Sequence, residues 1–182
     1  SGCDAIVIDA SLNPQVYIDI ANDNGWIIRY VTDTHIHADY LSRTRELAQA
    51  TDAKHVLIDK ASVEYPFVPI KSGEQIKLGM ATLEVIHTPG HTLESTSFRL
   101  GDDAVFTGDT LFVNGVGRPD LKANQEEANK KSKMLFQSLN QLMNLDEKTL
   151  ILPAHISEAV AFDNMLIGDT IKNLKNRLEM LK

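Results

Sequence analysis

The stretch Thr34-His35-Ile36-His37-Ala38-Asp39-Tyr40 comes directly after a β-rich run at residues 26–31 (WIIRYV). In extended backbone, alternate side chains face the same side. His35, His37 and Asp39 are therefore expected to converge, while Ile36 and Ala38 turn into the protein. Two imidazoles and a carboxylate on one side suit a divalent cation. Taken alone, the same residues serve equally well as a solvated loop. The later strand ends of the chain decide between these two readings.

Three of those ends carry the same kind of residue. His87-Thr88-Pro89-Gly90-His91-Thr92 closes a strand expected at residues 82–87. Its Pro-Gly pair forces a tight turn that holds His91 at the strand's end. His87, still within the strand, is expected to be a hydrogen-bonded structural residue. Thr107-Gly108-Asp109-Thr110 closes residues 104–107, and Leu152-Pro153-Ala154-His155 closes residues 149–152. Functional side chains concentrate in loops on a rigid scaffold. His or Asp at the C-terminal end of strand after strand points to a metal site.

The rest of the chain supplies the scaffold. Residues 5–9 (AIVID) read as a strand. Asn13 and Pro14 then mark a helix start, as N-cap and first helical residue. Val16, Tyr17 and Ile20 are expected to line one apolar face of it, and Asn24-Gly25 ends it. A helix over residues 39–50 and a strand over residues 54–58 come next. Strand–helix alternation of this kind is the α/β signature. Strands at 75–78, 82–87, 96–100 and 104–107 come without helices between them, which favours antiparallel pairing. A helix at 124–144 presents Ala128, Leu135, Leu139 and Leu142 near one face. The last strand, 149–152, precedes an amphipathic helix at 169–181 carrying Ile171, Leu174, Leu178 and Leu181.

At 182 residues, one domain spanning 1–182 is expected. A net charge of -7 argues against non-specific binding to nucleic acid or an anionic membrane. The single cysteine, Cys3, rules out an intrachain disulfide and a Cys-rich zinc site. One thiol fits a reducing compartment, so a cytoplasmic location is expected.

Taken together, His35, His37, Asp39, His91, Asp109 and His155 resemble the metallo-β-lactamase superfamily pattern, in which His-x-His-x-Asp-His is followed by a His, an Asp and a last His. Tyr40 stands where that pattern has its fourth residue. Within the superfamily the chain resembles the persulfide (sulfur) dioxygenases, relatives of glyoxalase II. THIHADY (34–40), HTPGHT (87–92) and TGDTLFVNGVGRPD (107–120) carry that likeness. It implies an αβ/βα sandwich with two mixed β-sheets and the metal at one edge. The strands that usually precede AIVID are missing here, so an incomplete sheet is expected. The chain is expected to be the catalytic part of a longer protein, because some relatives continue into rhodanese domains.

The resemblance also implies an activity. A single Fe(II) per chain would be held by His35, His91 and Asp109, with His37 as a further metal-site residue. His37, Asp39, His155 and Asp120 would orient ligands or form a vestigial second site. The reaction implied is oxidation of a low-molecular-weight persulfide to sulfite with O₂, the partner being a small thiol or persulfide. A rhodanese-type domain or partner and a homo-oligomer are compatible with it. Arg118 would pair with a substrate carboxylate or hold its loop through Asp120. A phenol has a pKa near 10, so Tyr40 is a poor metal ligand and a second metal site is expected to be weak or absent. The alternatives are a Zn(II)-dependent hydrolase of thioesters, with Asp39 orienting a water, and a non-catalytic binding module that keeps the fold.

Overall fold

The computed structural model describes residues 3–121, 123–156 and 165–179. Two sheets pack face to face, with helices on both outer sides. The first has four strands in the order β1-β2-β3-β4: β1 (Asp4–Ile8), β2 (Ile27–Thr32), β3 (Lys54–Ile58) and β4 (Val68–Ile70). The second has six, β12-β11-β8-β7-β6-β5: β5 (Gln75–Leu78), β6 (Ala81–His87), β7 (Thr96–Leu100), β8 (Ala104–Gly108), β11 (Leu150–Pro153) and β12 (Asp169–Thr170). A small ladder pairs β9 (Leu111–Phe112) with β10 (Gly115–Val116). The expected αβ/βα sandwich is present, with one refinement. The first sheet is parallel in every described pair, and mixed pairing is confined to the second.

Three apolar layers hold it together. Val56, Ile58, Ile76, Leu83, Val85 and Phe98 fill the space between the sheets. Ile28, Val31, Leu47 and Ala21 join the first sheet to α1 (Pro14–Asp23) and α2 (Thr44–Thr51). Val105, Ile151, Leu135, Leu139, Leu142 and Leu174 join the second to α3 (Gln125–Met143) and α4 (Ile171–Arg177). Ile28 and Val31 would face opposite sides of a regular strand. A register shift, Ala5 opposite Ile28 but Ile6 opposite Tyr30, inserts the extra residue that lets both meet the helices. Phe98 is fully buried between its neighbours Val85 and Phe106. Phe98→Ala is expected to cost about 3–5 kcal/mol, measured by urea unfolding.

Several local expectations needed correction. In α1 the Asn13 cap and Pro14 start are as read. Val16 and Ile20 are exposed, however, and Ala21, with Tyr17 and Ile18, makes the buried contacts. The Tyr17 hydroxyl accepts the backbone N–H groups of Ser11 and Leu12, and this fixes the helix's rotation. Helix α2 begins at Thr44, not at residue 39. Ser42 Oγ and Thr44 Oγ1 both donate to Asp33 Oδ1 at 2.8 Å, which ties residues 39–43 into the loop. Helix α3 carries a capping box, Asn124 with Glu127, as suits its long exposed start. The last helix is described over Ile171–Arg177, and Leu181 lies outside the described residues. Strand β4, which contains Pro69, was not among the expected strands. It sits at the sheet edge, where proline is tolerated. No helix among the described residues is long and apolar enough to cross a membrane.

Candidate metal centre

Strands β6, β8 and β11 run in one direction, so their C-terminal ends share one edge of the second sheet. The loop leaving β2 meets that edge from the first sheet, through a Thr96 N–H to Thr34 carbonyl bond of 2.8 Å. Further bonds fix the strand ends to one another. The Thr110 hydroxyl donates to the Thr88 carbonyl at 3.1 Å, and Ala154 N–H donates to the Gly108 carbonyl at 3.2 Å.

His35, His91 and Asp109 converge there, each offering one ligand atom within 4.8 Å of the other two. His35 Nε2 lies 3.9 Å and His91 Nε2 3.7 Å from Asp109 Oδ2. Their surroundings select the tautomers. The Thr34 hydroxyl gives its only proton to Asp9 Oδ2 at 2.8 Å. It must therefore accept from His35 Nδ1, 3.0 Å away, which leaves His35 Nε2 as a free lone pair. His91 Nδ1 donates to the Arg118 carbonyl at 3.1 Å, so its Nε2 is free as well. Burial, and then repulsion from His37, push His35 down to a pKa of about 4, so it stays neutral as a metal ligand must. Asp109 is oriented by its other oxygen: Oδ1 accepts from His155 Nδ1 at 2.6 Å.

The remaining residues surround this cluster. His37 lies beside His35, with ring centroids 4.1 Å apart. Its Nε2 is turned to Asp9 Oδ1 at 3.0 Å, which assigns the proton to Nε2. Burial opposes the charge on His37, but Asp9 and Asp33 outweigh that and raise its pKa, and its Nδ1 is buried with no hydrogen-bond partner. A buried polar atom without a partner is costly. His35 and His91 each turn a free Nε2 lone pair toward the Asp109 carboxylate, so these three residues fit a divalent ion. His155 bridges two carboxylates, with Nε2 2.8 Å from Asp39 Oδ2. Burial opposes its charge, but the bonds from Asp109 and Asp39 outweigh that and raise its pKa. Asp39 is exposed, and it reaches the cluster through His155 and not through its own carboxylate. Tyr40 packs on His37 with ring centroids 4.3 Å apart. Burial, then Asp9, Asp33 and Asp39, push the phenol's pKa far up, so it stays protonated.

The Arg118 guanidinium is engaged with Asp120 at the surface, at 2.6 and 3.1 Å, while its carbonyl orients His91. Gly117 lets that loop in. A Cβ there would lie 1.9 Å from the Asp109 carbonyl oxygen and 3.0 Å from His91 Cβ. His87 Nε2 donates to the Leu93 carbonyl at 2.9 Å, the structural role expected of it.

The sequence reading missed Asp9 and Asp33. Asp9 ends β1 in a left-handed conformation, φ 56°, and accepts from Thr34 N, Thr34 Oγ1 and His37 Nε2. Strand β1 is parallel to β2, so the strand-end rule that found His35 would also have found Asp9. Outer partners of metal ligands typically matter by about 10- to 100-fold in metal affinity. Asp9→Asn is expected to weaken metal binding by about that factor, read by competition against a chromogenic chelator.

Two layered sheets with a His/His/Asp cluster at their shared edge define the class. Residues 60–155 match the metallo-beta-lactamase superfamily, and the chain belongs to it. The chain is 32% identical over 158 residues to a hydroxyacylglutathione hydrolase of Methylococcus capsulatus, covering 85% of this chain and 58% of that protein. It is also 32% identical over 133 residues to the mitochondrial persulfide dioxygenase ETHE1 of Mus musculus, covering 72% and 50% respectively. Its fold superposes on a metallo-beta-lactamase structure from Staphylococcus aureus with a TM-score of 0.86 and 28% identity, over 97% of this chain and 56% of that one. The chain thus spans between half and three-fifths of the length of these relatives.

Proposed function

We propose that this chain oxidises a low-molecular-weight persulfide to sulfite and thiol with O₂, using one iron ion per chain. The observation that carries the reading is the donor set. Two imidazoles and one carboxylate, His35, His91 and Asp109, form one three-ligand face. The residues that would serve a second ion are otherwise engaged: His155 is shared between Asp109 and Asp39, Tyr40 is a protonated phenol, and in the second acidic cluster, Asp9, Asp33 and His37, Asp9 is bound to Thr34 and His37 while Asp33 is bound to Ser42 and Thr44. A two-His, one-carboxylate face with open positions suits non-haem Fe(II) oxygen chemistry. When bound, Fe(II) supplies one-electron reduction of O₂ and a seat for sulfur, and Zn(II) supplies only Lewis acidity.

The chain's own residues handle position and protons. A persulfide, O₂ and water give a thiol, sulfite and two protons. Those protons can leave through His155, which links Asp109 to the exposed Asp39. Thr34, the Arg118 carbonyl and Asp9 keep the three imidazoles oriented throughout.

The zinc-dependent thioester hydrolase remains the second reading. It is favoured by the likeness to the hydroxyacylglutathione hydrolases and by Asp39, exposed and able to orient a water. The test loads separate samples with Fe(II) and Zn(II). The iron form should consume O₂ on addition of glutathione persulfide and release sulfite in equal amount. Thioester cleavage by the zinc form, with no persulfide-dependent O₂ uptake by the iron form, would replace this proposal with the hydrolase.

A further inference from the structure

Beside the metal cluster lies a cavity of about 380 Å³, within the size range of small-molecule sites. His35, His37 and Tyr40 line it from the metal centre, and Arg45, Gln49 and Tyr65 line it from α2 and the segment after β3. Arg45 is the one lysine or arginine among those lining residues. No carboxylate forms an ion pair with it among the described residues, whereas the nearby Arg43 is neutralised by both oxygens of Glu46, at 2.7 and 3.0 Å. The other acid on the wall, Asp33, has Oδ1 taken by Ser42 and Thr44. Arg45 is exposed, and its guanidinium rests against an aromatic ring. It lies 5.3 Å from the centroid of the Tyr65 ring, and Tyr65 is stacked on the buried His55 with centroids 5.6 Å apart and planes at 17°. A planar cation resting over an aromatic ring, with its donors unclaimed by any carboxylate among the described residues, is suited to grip a carboxylate.

We infer that Arg45, seated on Tyr65, is the specificity-determining residue of a subsite that docks a carboxylate of the persulfide substrate. The carboxylate docks on Arg45 in the cavity, and the sulfur end extends past Tyr40 toward His35 and His37. This rests on the persulfide reading for its sulfur end and on the cavity alone for its carboxylate end.

The test separates the two. Iron-loaded protein is assayed for O₂ uptake with the persulfide of 3-mercaptopropionate and with that of its uncharged amide. Binding of the unreactive thioethers 3-(methylthio)propionate and its amide is measured by calorimetry. The wild type should favour the carboxylate over the amide in both measurements. In Arg45→Ala the preference should fall about tenfold, the scale of one charge-assisted hydrogen-bonded contact, mainly through KM. Arg45→Lys should recover part of it, which also guards against a folding defect. An unchanged ratio in Arg45→Ala, or a wild type indifferent to the charge in both measurements, would overturn the subsite. Arg45-dependent binding of the thioether without any O₂ uptake would instead leave the subsite standing and remove the dioxygenase reading.

Discussion

Replacing His91 with alanine is expected to weaken metal binding by more than about 100-fold, beyond what loss of an outer partner typically costs. His91 supplies one of three converging atoms, and the neighbouring His37 is held by Asp9 through its Nε2. The proposed oxidation of persulfide should fall with the metal. The fold should survive, because the His91 ring is held by one hydrogen bond, to the Arg118 carbonyl. Its loss is worth about 1 kcal/mol. Chelator competition and a urea melt of the same variant separate these effects. A variant that unfolds outright would contradict the account as firmly as one that keeps its metal.

The second large effect is expected at Gly108. This residue ends β8 with φ 52° and faces the loop that carries His35. A Cβ there would lie 2.4 Å from Thr34 Oγ1 and 2.6 Å from Thr34 Cβ. Thr34 is the residue that sets the tautomer of His35 and binds Asp9. Gly108→Ala therefore combines left-handed strain of about 1–2 kcal/mol with overpacking of about 1–3 kcal/mol. A loss of about 2–5 kcal/mol in unfolding free energy is expected on these terms. Metal affinity should drop as well, since Thr34 must move. An alanine variant with unchanged stability and unchanged metal content would contradict the reading of this junction.

Which parts were legible in the sequence depends on the kind of information each part needs. His35, His91 and Asp109 were legible because each sits at a strand end marked by local signals, and β-rich runs ending in Gly or Pro are local. The antiparallel run from β5 to β8 was legible for the same reason. The environment of His37 was not. Alternation in extended backbone aims it with His35 and Asp39, but the loop bends and Asp9, from another strand, captures its Nε2. Asp33 was invisible because its partners Ser42 and Thr44 lie across a loop that itself read as helix. The exposed face of α1 was misjudged because Val16 and Ile20 look apolar in any window. Only the anchored Tyr17 hydroxyl shows which side meets the sheet. The cavity at Arg45 joins α2 to a segment after β3, a contact no local pattern carries.

The central claim is that His35, His91 and Asp109 hold one metal ion. Equilibrium dialysis against Fe(II) under anaerobic conditions, with elemental analysis of the retained protein, measures it directly. The wild type should retain about one ion per chain, and His91→Ala and Asp109→Asn should retain none at the same free concentration. Undiminished binding in both variants, or two tightly held ions in the wild type, would contradict it.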